Sequence, residues 1–189
     1  MIVGFHGYAE NAEIQMERLR SIPRGEAWTK VSIQGLHRFY QRRTNMVVAS
    51  WMTSQDRELA MADNTAYVTA CLESAGAGGI RGIVFAGFSQ GVGMAFRAAV
   101  NSRYPVAGVI AVGGDVPPEL TGDELQKIPA VLVARGNGDT WYTAEMFDQD
   151  RKRLDGVAGK LHTIEFDGGH EWSGAVIAEA AEFLKTTAP

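Results

Sequence analysis

A single cysteine, Cys71, stands in 189 residues. An internal disulfide and a cysteine-rich zinc site are therefore excluded, and the apolar helical pattern around Cys71 marks a buried structural thiol. Positive charge is also scarce: 18 Lys and Arg against 22 Asp and Glu leave a net charge of −4. No basic field exists to gather nucleic acid or anionic lipid. No apolar run approaches the roughly 20 residues of a membrane span. The opening MIVGFHG lacks a basic segment followed by an apolar core, so no signal peptide is expected and a cytoplasmic location is the default. The four histidines have no paired ligand spacing, and no metal is expected. Nucleotide motifs are missing too. Gly91-Val-Gly93-Met-Ala-Phe96 lacks the third glycine of a dinucleotide fingerprint, no phosphate loop is present, and no cofactor is expected. Repeats, low-complexity tracts and linkers are absent.

What is present suits one domain over residues 1–189, with 46% hydrophobic and 21% charged residues. Short apolar runs predict strands at Ile2–Phe5, Thr29–Ile33, Gly82–Ala86, Val106–Val112, Ala130–Ala134 and Leu161–Phe166. They are continuous runs more than alternations, the pattern of a parallel sheet covered on both faces. Helical periodicity predicts Asn11–Ile22, Ser54–Ser74, Gln90–Asn101, Thr143–Val157 and Ser173–Thr186. In the second, Ser54 or Asp56 caps the start, and Leu59, Met61, Ala62, Ala66, Val68, Ala70 and Leu72 mark the apolar side. Strand and helix alternate, so the fold class is α/β, a mostly parallel sheet of about six strands with helices on both faces. Asn45–Trp51 is apolar enough for a strand but falls between a strand and a helix. It is expected as an extended arm over one end of the sheet.

The stretch Ile83-Val-Phe-Ala-Gly-Phe-Ser-Gln-Gly-Val-Gly93 runs from a buried strand through Gly87-Phe-Ser89-Gln-Gly91 into a helix. A strand that reverses so abruptly crowds its own backbone, and glycines on either side of the serine relieve the clash. Ser89 Oγ then stands clear of the sheet beside the amides of the next helix, where it can act as a nucleophile. A plain structural turn is the competing reading.

A serine hydroxyl needs a base, and the base needs an orienting group. His170 in Asp167-Gly-Gly-His-Glu-Trp172 follows the last strand on a flexible turn and is the best base. His6 beside Gly7 fits a turn-bracing role, His37 lies in an irregular arginine-rich segment, and His162 opens a strand. Asp139, in Arg135-Gly-Asn-Gly-Asp139 just past a strand, is the expected acid, with Asp115 and Asp167 as competitors. The chain order Ser, Asp, His is that of a hydrolase sheet. When Ser89 attacks a carbonyl, amide donors must hold the oxyanion. These are expected to be the backbone N–H of Gln90 and that of Tyr8, with position mattering more than side-chain identity.

These motifs resemble the α/β-hydrolase superfamily and, within it, the small phospholipase/carboxylesterase family of serine esterases and acyl-protein thioesterases. The resemblance covers Phe5-His-Gly7, Asn45–Trp51, Gly87-Phe-Ser-Gln-Gly91, Gly136–Asp139 and Gly169-His170. It implies Ser89 as nucleophile, His170 as base, Asp139 as acid, Tyr8 and Gln90 as oxyanion donors, and Ser50-Trp51 as the end of an arm beside the site. Departures are visible. His6-Gly-Tyr-Ala-Glu10 stands where the family usually has His-Gly-Leu-Gly-Asp, Trp141 and Tyr142 follow the acid, and the first strand matches the family's third.

Aromatics flank every motif, and Trp51, Phe88, Trp141 and Tyr142 are expected to line a cleft for the substrate. No insertion is long enough for a separate lid domain, so short- to medium-chain esters are expected. Arg38, Arg42 and Arg43 are read as a solvated loop, with an anionic ligand as the rival. The expected activity is a serine carboxylesterase acting on a small-molecule ester through an acyl-enzyme, without nucleic-acid or membrane partners. Thioesterase, lysophospholipase or acyltransferase action and a non-catalytic binding protein on the same fold remain open, as do monomer and homodimer.

Overall fold

The computed structural model describes residues 1–23 and 27–187. Six strands, β1 (Ile2–Phe5), β2 (Lys30–Ile33), β5 (Ile83–Phe88), β6 (Val106–Val112), β7 (Ala130–Gly136) and β8 (Lys160–Phe166), form one sheet in the order β2-β1-β5-β6-β7-β8. All five pairings are parallel. The continuous apolar runs have the expected cause, because successive side chains enter two separate cores. Ile83 and Phe85 of β5 face one core while Val84, Ala86 and Phe88 face the other. Helices α2 (Arg57–Ser74), α3 (Gln90–Val100) and α5 (Ala144–Leu154) cover the first face, and α1 (Ala12–Ser21) and α6 (Gly174–Thr187) the second.

Local chemistry fixes most boundaries. Asn11 caps α1 by accepting from Ile14 N, and Thr143 caps α5 by accepting from Met146 N. A short α4 (Gly122–Leu125), not expected from the sequence, starts with a capping box between Thr121 and Glu124. The start of α2 differs from expectation. The helix begins at Arg57, Asp56 sits in the left-handed region at φ 50° without a side-chain cap, and Leu59 is exposed. Its buried stripe is Asn64, Val68 and Leu72: Val68 and Leu72 are two of the expected apolar residues, and the polar Asn64 was not among them.

The arm is also corrected. Within Asn45–Trp51, β4 (Val47–Ser50) pairs antiparallel with β3 (His37–Tyr40), a strand not expected in the arginine-rich segment. The outer strand β3 is exposed throughout, so no burial pattern betrays it.

The chain steps from β1 outward to β2, then returns to the other side of β1 as β5. This reversal opens a crevice at the carboxyl ends of β1 and β5, the place where ligands bind in open parallel sheets.

Candidate active site

Ser89 occupies that crevice between β5 and α3. Its backbone is held at φ 52°, ψ −123°, a region a non-glycine residue enters only under constraint, and its hydroxyl does not cap α3. The flanking glycines are required by contact. A Cβ on Gly87 would strike the carbonyl of Gly91, and one on Gly91 would strike the carbonyl of Phe5. Close approach at Gly91 is what brings the turn after β1 against the start of α3.

That turn has a defined division of amides. Gly7 N–H donates to Glu10 Oε2 at 2.8 Å, Ala9 N–H to Ala49 O at 3.0 Å and Glu10 N–H to Gly7 O at 3.3 Å. Among the described residues, the N–H groups of Tyr8 and Gln90 have no protein acceptor. The Gln90 donor, next in sequence to Ser89, lies at the positive end of α3, and Tyr8 borders a cavity together with Ser89.

His170 and Asp139 meet across the loops after β8 and β7. The Nδ1–H of His170 donates to Asp139 Oδ2 at 2.7 Å, which leaves Nε2 as an acceptor. Asp139 is buried, and its Oδ1 accepts from Trp141 N at 2.8 Å and Tyr142 N at 3.0 Å. The carboxylate is therefore fixed from both sides. The rival acids Asp115 and Asp167 are exposed and make no bond to His170. Buried Arg135 holds the same loop, donating to Tyr142 O at 2.9 Å, to Asn137 O at 3.3 Å and to Glu165 at 2.8 Å.

Two open cavities border both Ser89 and His170. One, of about 370 Å³, lies toward α2 and α5 and includes Trp141, Tyr142 and Met146. The other, of about 510 Å³, lies toward α1 and includes Tyr8, Phe88 and Trp172. Trp141 is largely exposed at the rim. Tyr142 reaches the first cavity from a buried position, its hydroxyl donating to Asp150 Oδ2 at 2.9 Å; burial, then the Asp150 charge and bond, push that phenol far up from its ordinary value. Phe88 packs under the His170 ring at 5.0 Å and carries the Arg18 guanidinium at 4.0 Å.

Trp51, expected in the cleft, borders neither cavity and is fully buried. Its indole N–H donates to His6 O at 2.8 Å; an apolar ring with a satisfied donor belongs in the core, where it meets Phe5 edge to face. His6 is the expected turn brace. Its Nδ1–H donates to Gly7 O at 2.7 Å and its Nε2 accepts from Gly35 N at 3.0 Å. Burial lowers its pKa, only partly countered by the Gly7 bond and the Glu10 charge, so the ring is kept neutral.

The side chain of Gln90 matters more than its sequence position suggested. Nε2 donates to Met52 O at 2.9 Å and to Ser50 Oγ at 3.1 Å, and Oε1 accepts from Trp51 N at 3.0 Å. One amide thus ties residues 50–52 to the serine turn. Glu10 was also missed as a site residue. It holds Gly7 N and forms a two-pronged pair with Arg18 at 2.6 Å for both contacts. Burial alone raises its pKa, but the Arg18 bonds and charge outweigh this and set the carboxyl below its usual range.

Fold and serine turn together define an α/β-hydrolase. The phospholipase/carboxylesterase family model matches residues 2–188, and the chain belongs to that family of hydrolases. No curated protein matches it by sequence. Among solved structures it is similar to SOBER1 of Arabidopsis thaliana, at 16% identity and a TM-score of 0.75, covering 100% of this chain and 98% of that one. Acyl-protein thioesterase 2 of Zea mays matches at 17% identity and a TM-score of 0.72, over 98% and 92% of the two chains. Esterase PE8 matches at 20% identity and a TM-score of 0.70, over 98% and 91%. At these identities the likeness is one of fold.

Proposed function

We propose that the protein is a serine carboxylesterase that cleaves short- to medium-chain esters through an acyl-enzyme. The observation that carries this reading is the Asp139–His170 bond of 2.7 Å beside a strained serine in the same cavity. In the reading, Nε2 of His170 takes the Ser89 proton as Oγ attacks the ester carbonyl. The carbonyl π electrons move to oxygen, where the Tyr8 and Gln90 amides receive the charge. Loss of one such donor typically costs about 2.7–4 kcal/mol of transition-state stabilisation. Collapse of the tetrahedral intermediate expels the alcohol, which takes the proton from His170. Water, deprotonated by His170, then attacks the acyl-enzyme and releases the acid and Ser89. Asp139 holds the imidazole in the required tautomer throughout. Trp141 and Tyr142 on one side and Phe88 on the other border the space for acyl and alcohol groups.

Hydrolysis of p-nitrophenyl butyrate is expected from the purified protein and is expected to fall by about 10⁴-fold or more in Ser89→Ala. Turnover surviving that substitution removes Ser89 from the mechanism. Thioesterase action through the same acyl-enzyme is the second reading, suggested by the likeness in fold to acyl-protein thioesterase 2 of Zea mays; comparing butyryl thioesters with butyryl esters of matched leaving groups separates the two.

A further inference from the structure

The cavity toward α2 and α5 ends on two guanidinium groups. Arg97 of α3 is only 6% exposed, and its Nε and Nη2 both donate to Glu119 Oε1, at 2.8 and 2.6 Å. Its Nη1 has no acceptor among the described residues and overhangs Gly93, where a Cβ would lie 2.8 Å from it. Gly93 follows Ser89 by one helical turn, so this donor stands about 6 Å along α3 from the serine. Arg57 borders the same cavity; its Nη2 lies 3.5 Å from Glu119 Oε2, and its Nη1 meets only Met52 Sδ at 3.9 Å. Two cations share one carboxylate, which leaves a positive charge in excess. The other charged residue bordering the cavity, Asp115, bears on Tyr142 and Asp150, whereas Arg57 and Arg97 bear on Glu119. Asp115 also borders a separate cavity with Met146, Gln149 and Asp150, which sets it toward α5.

We propose that Arg57 and Arg97 form a carboxylate subsite, so that Ser89 acts preferentially on short esters carrying a second, anionic group. This rests on the serine esterase reading. A buried guanidinium with a free N–H edge is a strong donor to carboxylate, and a neutral tail would leave that edge unused. The 6 Å offset is spanned by a chain of about three to four bonds of ~1.5 Å each. Half-esters of five-carbon dicarboxylic acids meet this on the acyl side, counted from the carbonyl carbon, and acyl esters of four-carbon hydroxy acids on the alcohol side, counted from the ester oxygen.

Both arms are tested by pH-stat, comparing monomethyl glutarate with methyl pentanoate, and 4-acetoxybutanoate with butyl acetate. The anionic member of at least one pair is expected to show kcat/KM about 10-fold higher or more. That ratio is expected to fall to within about threefold of one in Arg57→Gln, and to shrink in about 0.5 M NaCl. Binding is read separately by calorimetry of glutarate with Ser89→Ala, where adding Arg57→Gln is expected to weaken Kd about 10-fold. No preference in either pair together with no glutarate binding overturns the subsite, while turnover of the neutral esters would leave the esterase reading standing. Glutarate binding that depends on Arg57, in a protein that turns over none of the four esters, sustains the subsite and overturns the esterase reading instead.

Discussion

Ala9 holds φ 56° in the turn that presents the Tyr8 amide. This left-handed conformation costs an L-residue roughly 1–2 kcal/mol, a cost glycine does not carry. Glycine would in turn lose more backbone entropy on folding, about 0.5–1 kcal/mol. The balance favours glycine slightly, and Ala9→Gly is expected to raise the thermal unfolding midpoint by about 1–3 °C. A lowered midpoint by calorimetry would mean that the Ala9 methyl contributes packing that outweighs its strain. Ala9 stands where the resembling family usually has glycine, so the sequence already marked the position as a departure. The left-handed backbone explains why glycine suits it.

Gln90 shows how one side chain can join elements whose sequence signals are separate. Residues 50–52 leave the small β3–β4 sheet and approach α3 without pairing to the main sheet. The Gln90 amide supplies the partners that a strand would have had. Gln90→Leu would leave Trp51 N–H without its acceptor and Met52 O with only the Ser50 hydroxyl, at about 1–3 kcal/mol, while keeping the backbone N–H at the start of α3. The expected result is a fall in unfolding midpoint of roughly 2–4 °C per kcal/mol, with easier proteolysis between β4 and α2. Unchanged stability would show that the apolar burial of Trp51 alone holds the arm. The main-sheet strands and the loops that follow them were legible because burial on two faces and glycine-bounded turns leave strong marks. The β3–β4 pair was not, since β3 is exposed and its cross-strand partner lies several residues beyond an arginine-rich turn. Trp51 was misplaced for a related reason: an aromatic beside a motif reads as a wall of the cleft whether its ring faces substrate or the core. Gln90 acts through side-chain bonds to backbone far away in sequence, which no local pattern encodes, whereas Arg135 and Glu10 bond backbone within their own loops, a role that residue type alone does not announce.

At the scale of the molecule, the carboxyl end of β1 is where the β2–β3 link, the arm and the serine turn are fastened together, and a neutral His6 is the fastening. Its Nε2 accepts from Gly35, which a protonated ring cannot do, and its folded pKa is depressed below the ordinary 6.5. Above pH 6.5 folded and unfolded states both carry the ring neutral, so its full contribution is present. As pH falls below 6.5 the unfolded chain takes a proton that the folded chain refuses, and stability drops until the folded pKa is reached. Glu10, depressed below 4.5 by the Arg18 pair against the pull of burial, adds a second loss at lower pH. Asp150 has the opposite sign. Burial raises its pKa above 3.8, so its contribution improves as pH falls through the raised value and offsets part of the Glu10 loss. Among the side chains the first acid-side change is therefore that of His6, with a slope of up to about 1.4 kcal/mol per pH unit; the Met1 amino group, lowered from 8.0 by burial, adds a loss of the same sign at higher pH. Calorimetry at pH 6.5 and 5.5 is expected to show a lower midpoint at pH 5.5. His6→Gln is expected to be less stable at pH 7.5 but to lose most of that acid-side fall. A wild-type midpoint that holds down to pH 5.5 would mean that the folded ring accepts its proton as readily as the unfolded one, and that the β1 turn does not depend on a neutral imidazole.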